Sequence, residues 1–86
     1  MNKVNVHPRV AEHSPEVSMQ DVSVAMRSMN RYVQMPRGEW LAVGSDAQGR
    51  LIELAYVYDA AAASFTVFHA ATPPSVAVLK ELGLGR

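Results

Sequence analysis

The spacing of apolar positions divides the chain into a helical first half and a strand-rich second half. Lys3 to His7 alternates weakly (Lys-Val-Asn-Val-His) and predicts a short edge strand. Pro8 stops it and suits the first turn of a helix, so Arg9 to His13 reads as one or two helical turns. Ser14-Pro15 is a break. Ser18 then offers a helix cap, with Asp21 at the third helical position, where the acidic member of a capping box sits. Met19, Val22, Ala25, Met26, Met29 and Val33 recur at three- and four-residue spacing, which predicts an amphipathic helix running to about Arg31. Pro36 and Gly38 close that region.

From Glu39 onward the period drops to two. Glu39 to Gly44 predicts a short strand, and Ser45-Asp46-Ala47-Gln48-Gly49 is a turn cluster. Arg50 to Tyr58 predicts a second strand rich in β-formers. The alanines after Asp59 favour helix by propensity, but the run is too short to nucleate one, so it reads as a hairpin loop. Ser64 to Ala70 is the third strand of a meander. Ser75 can cap a last helix through Leu82, and Gly83 stands where a helix-ending glycine belongs. The expected fold is a single α+β domain over residues 1–86. It is an antiparallel sheet of three to four strands, with two N-terminal helices on one face and a short C-terminal helix.

The composition narrows the function classes. The 86 residues, 49% of them apolar, suit one small globular domain rather than disorder. No apolar run approaches a membrane span of about 20 residues, and Met1 to Asn5 lacks an apolar signal region. A cytoplasmic protein without membrane association is expected. The absence of cysteine removes disulfides and thiolate chemistry. Eight basic residues balance eight acidic ones. Unspecific nucleic-acid binding rests on surplus positive charge, so RNA contact would need a local patch such as Arg27, Arg31 and Arg37.

The candidate chemistry centres on His69. It ends a predicted strand just before Ala70-Ala71-Thr72-Pro73-Pro74, a stiff extended corner. An imidazole there can serve as a general acid or base, or simply hydrogen-bond the turn. Hairpin register decides its partner. If Tyr58 opposes Phe65, His69 opposes Leu54 and shares a face with Tyr56; if Val57 opposes Phe65, His69 opposes Glu53. A one-residue slip exchanges every face, and the alanine loop leaves both open. Arg50, after Gly49, suits phosphate recognition or a surface salt bridge to Asp46 or Glu53. Arg27 and Arg31, four apart, would share a helix face. Tyr32 and Trp40 can stack on bases, or pack in the core. The helix methionines read as core packing. His7, His13 and Glu16 match no zinc spacing, so no metal and no cofactor is expected.

Together these segments resemble a known group. Val43-Gly44-Ser45-Asp46 through Gly49-Arg50-Leu51-Ile52-Glu53, then Phe68-His69-Ala70, Thr72-Pro73-Pro74 and Glu81-Leu82-Gly83-Leu84, are similar to a pattern in small actinobacterial proteins. His7-Pro8-Arg9, His13, Asp21-Val22 and Ala25 extend the likeness through the first half. That group resembles, more distantly, the BrnT toxins of the RelE-like ribonuclease superfamily. The resemblance implies the toxin of a type II toxin–antitoxin system, which cleaves RNA without a metal and is silenced by a protein antitoxin. It implies His69 as base or acid and Arg50 as transition-state stabiliser. Arg27, Arg31, Glu53, Tyr56 and Thr72 would contact substrate. The alternative is a non-catalytic binding module, a degenerate toxin relative or a small homodimer.

Overall fold

A computed structural model describes residues 2–84. The elements are β1 (Lys3–Val6), α1 (Arg9–His13), α2 (Met19–Arg27), β2 (Arg31–Gln34), β3 (Trp40–Ser45), β4 (Leu51–Asp59), β5 (Ser64–Ala71) and α3 (Val76–Glu81). All five strands form one sheet in the order β1-β5-β4-β3-β2. β1 runs parallel to β5, and the other pairings are antiparallel. The α+β class holds, but the sheet is five-stranded and mixed, not antiparallel with three to four strands.

The additional strand is β2, and its formation shortens the predicted second helix. Ser18 caps α2 as expected: its hydroxyl accepts from the Asp21 N–H at 3.0 Å, and Asp21 Oδ2 accepts from the Ser18 N–H at 2.9 Å. The helix stops at Arg27, four residues short of Arg31. Ser28 there reaches across to the end of β3. Its hydroxyl donates to the Ser45 carbonyl at 2.8 Å and accepts from the Ser45 N–H at 3.0 Å. Arg31 to Gln34 then takes the free edge of β3, with Arg31 opposite Val43 and Gln34 opposite Trp40. Main-chain pairing with a neighbour outweighs helix propensity once an edge is in reach. Met35 to Gly38, with Pro36 at its second position, turns the chain between the two strands; the Gly38 N–H donates to the Met35 carbonyl at 2.8 Å.

The core lies on the helix-facing side of the sheet. Val10 of α1, Val17, and Val22, Ala25 and Met26 of α2 pack on Ala42, Ile52, Leu54, Tyr56, Val67 and Ala70. Gly44 permits the closest approach. A Cβ on it would lie 2.0 Å from the Ala25 carbonyl oxygen, so α2 rests directly on the β3 backbone.

The opposite face carries α3. Arg31, Val43, Glu53 and Ala71 form one rung across β2, β3, β4 and β5. The Ser75 N–H, at the start of α3, donates to Glu53 Oε1 at 2.7 Å. Gly83, at its end, lies beside the Arg31 guanidinium. A six-residue helix is about 9 Å long, which matches two strand spacings of about 4.8 Å. α3 thus runs from Glu53 of β4 to the tip of the Arg31 side chain of β2.

Candidate functional site

The pair Glu53–His69 exists, but it arises from a change of register within the hairpin and not from the uniform register with Val57 opposite Phe65. The β4–β5 hairpin begins with Tyr58 opposite Phe65, Val57 opposite Thr66 and Tyr56 opposite Val67. A bulge then inserts Phe68, and the ladder resumes with Ala55 opposite His69 and Glu53 opposite Ala71. One extra residue moves everything after it to the other face. His69 therefore leaves the helix face, which keeps Tyr56, and joins the face of Glu53. The two side chains meet diagonally, His69 Nε2 to Glu53 Oε2 at 2.6 Å. The loop is anchored by Asp59, whose Oδ1 accepts from the Ala61 and Ala62 N–H groups, and Ala63 adopts a left-handed φ of 49°.

Glu53 is held on both oxygens, by the Ser75 N–H and by the His69 ring. Burial pushes its carboxyl pKa up, but those two hydrogen bonds outweigh burial and hold it below the ordinary glutamate value. An ionised Glu53 can only accept, so Nε2 donates to it, and Nδ1 forms no hydrogen bond among the described residues. The His69 side chain is 45% exposed and that of Glu53 9%. The imidazole is thus held by a buried carboxylate while remaining open to solvent.

His69 lines an open cavity of about 530 Å³ beside the β5 edge. β1 stops pairing at Val6–Val67, and α1 flanks β5 beyond that point. Arg9 and His13 of α1 therefore border the same cavity, with Leu41 and Ala55 from the sheet and Glu39 from the residue before β3. One Glu39 carboxylate oxygen is buried without a hydrogen-bond partner. An imidazole, a second histidine, a guanidinium and a carboxylate are the groups that acid–base and anion-stabilising chemistry uses.

Arg50 is elsewhere. Its Nε donates to Asp46 Oδ2 at 2.6 Å, one Nη to Asp21 Oδ2 at 3.1 Å, and both Nη atoms to the Glu16 carbonyl at 3.3 Å. Asp21 belongs to α2, so this network clasps the helix layer to the β3–β4 turn, on the other side of the sheet from His69. Burial pushes Asp46 up, but the Arg50 guanidinium and the N–H groups of Arg50 and Gln48 bring it below its ordinary value. Arg50 in turn is raised, chiefly by its bond to Asp46.

The remaining predicted residues separate as well. Arg27 and Arg31 do not share a helix face: Arg27 ends α2 on the core side, and Arg31 lies on β2 on the α3 side. Tyr56 is buried in an aromatic cluster, where burial first, then Tyr32, raises its pKa. Thr72 donates its hydroxyl to the Leu51 carbonyl at 2.8 Å, which ties the proline corner to β4. Reading the sequence missed Arg9, His13 and Glu39 as neighbours of His69. For Arg9 and His13 the sole signal is the His7-Pro8-Arg9…His13 segment, which only the early end of β1 brings to β5, and Glu39 has none. Among the described residues no set of three or more His, Asp or Glu side chains converges as a metal site, and no helix is long and apolar enough to cross a membrane.

Comparison with known proteins yields no match among family models, curated proteins or solved structures.

Proposed function

We propose that this protein is a toxin-like domain that cleaves RNA by acid–base chemistry at His69 and is controlled by a protein partner. The reading rests on the sequence resemblance to toxins, and the single supporting observation is the 2.6 Å Glu53–His69 pair opening onto the cavity shared with Arg9 and His13. In this reaction His69 Nδ1 takes the proton of a ribose 2′-hydroxyl, and the 2′-oxygen attacks the adjacent phosphorus. The 5′-oxygen leaves with a proton from an acid, the role assigned to His13. The products are a 2′,3′-cyclic phosphate and a 5′-hydroxyl. Arg9 replaces Arg50 as the cation for the developing phosphorane charge, because the Arg50 donors are committed to Asp46, Asp21 and Glu16.

Inducible expression in a bacterial host tests the reading. Wild type is expected to arrest growth and yield RNA ends with cyclic phosphates, with His69→Ala reducing cleavage about 10²–10⁴-fold. Equal growth and no cleavage in either strain would sink it. A second reading, a non-catalytic binding module, is favoured by one observation: the arginine that the toxin resemblance makes catalytic is a structural clasp. Retention of a co-purified partner by His69→Ala with no RNA cleavage by wild type would select it.

A further inference from the structure

The helix layer is shorter than the sheet it covers. α2 has nine residues, about 14 Å, and β4 has nine, about 30 Å. The end of the helix-facing side that α2 leaves bare is aromatic. Tyr32, Trp40, Tyr56, Phe65 and Tyr58 form one continuous series, with neighbouring ring centroids between 4.7 and 6.4 Å apart. They surround a cavity of about 360 Å³, with Met29 as its remaining wall. Tyr32 and Tyr58 are exposed. Met29 and Phe65 also border the adjoining cavity, which Lys3 and Arg27 line. No carboxylate borders either cavity. Neither Lys3 nor Arg27 forms an ion pair among the described residues.

We propose that this groove binds single-stranded nucleic acid, with a base stacked on the Tyr32–Trp40–Tyr58 rings and a neighbouring phosphate against Arg27 and Lys3. An apolar protein segment would use the rings but not the cations, and a simple anion the cations but not the rings. A nucleotide presents a flat π face and a negative charge at the spacing of one backbone unit, so it uses both. Stacking is tolerant of base identity, and Lys3 and Arg27 supply a local positive patch in a chain whose total charge is zero. The site lies on the opposite face of the sheet from His69 and stands whether or not His69 cleaves.

Trp40 is the one tryptophan of the chain, so its fluorescence reports on the groove. The probe is a six-nucleotide single-stranded DNA, which lacks the 2′-hydroxyl and cannot be cleaved at His69. The titration is expected to quench Trp40, with Tyr58→Ala or Tyr32→Ala weakening binding about 5- to 150-fold. Arg27→Ala should reduce the slope of log affinity against log salt by about 0.7. Lys80→Ala, an exposed cation of α3 on the other face of the sheet, should bind as wild type does. Both tyrosines are exposed, and circular dichroism confirms that the variants fold. Equal binding of inorganic polyphosphate would overturn the proposal. So would quenching by an acidic peptide but not by DNA, or unchanged affinity in the folded tyrosine variants.

Discussion

Glu53 is the residue on which the α3 side of the sheet depends. It is a nearly buried carboxylate that joins three elements: β4, on which it lies, β5 through the His69 imidazole, and α3 through the Ser75 N–H. Glu53→Gln keeps the shape but gives His69 an amide in place of a carboxylate. At neutral pH it is expected to cost about 1–3 kcal/mol, read by urea denaturation, because a charge-assisted bond and a buried donor lose their partner. The pH dependence follows in sign. The folded-state pKa of Glu53 lies below its ordinary 4.5, so the stability it contributes is complete above that value and is lost as pH falls through the lowered one. Asp46 acts in the same sense from its ordinary 3.8. Acid titration of Glu53→Gln should therefore show a shallower loss of stability below about pH 4.5 than wild type. An equally steep loss would show that Glu53 is not a source of the acid sensitivity.

At the scale of elements, the α2–β3 contact is the tightest. Gly44 lies under the Ala25 carbonyl, and no backbone rotation makes room for a methyl group 2.0 Å from that oxygen. Gly44→Ala is expected to push α2 away from the sheet and to cost about 1–3 kcal/mol or more by overpacking, measured as a lowered denaturation midpoint. A midpoint equal to wild type would mean that α2 is held differently. The same contact explains why α2 is short. Ser28 binds both main-chain groups of Ser45, and the Asn30 N–H donates to the Val43 carbonyl, so the chain is already committed to β3 within three residues of the helix end. Met29 and Val33 keep the apolar spacing of a helix in sequence, yet Val33 pairs with Leu41 as a strand. An alternating run of four and a helical stripe share positions over so short a stretch, and the available sheet edge decides between them.

For the whole molecule, the two faces of the sheet are unequally covered. The side under α1 and α2 contains the main core, whereas α3 has no buried residue of its own between Val76 and Glu81. α3 is held by the Glu53–Ser75 bond at one end and by the buried Leu82 at the other. Native-state hydrogen exchange should find the α3 amides opening well before those of β4 and β5, and Glu53→Gln should accelerate α3 selectively. Protection of α3 equal to that of β4 would contradict this ordering. Unequal coverage also separates the two candidate surfaces, the His69 cavity on one face and the aromatic groove on the other.

The local elements with their own signals were legible in the chain. The Ser18–Asp21 capping box, the Pro36–Gly38 turn, the Asp46–Gly49 turn and the Ser75 cap each rest on residues within four positions of one another, where side chain and main chain satisfy each other without help. His69 was legible as a titratable group near a strand end for the same reason. Its environment was not. A bulge at Phe68, a β1 that ends at Val6, and an Arg50 drawn to Asp21 across 29 positions all depend on which distant groups the folded sheet brings into hydrogen-bonding range. Short-range patterning sets the propensities of elements, whereas register, face and partnership are properties of the packed sheet and are decided only when it forms.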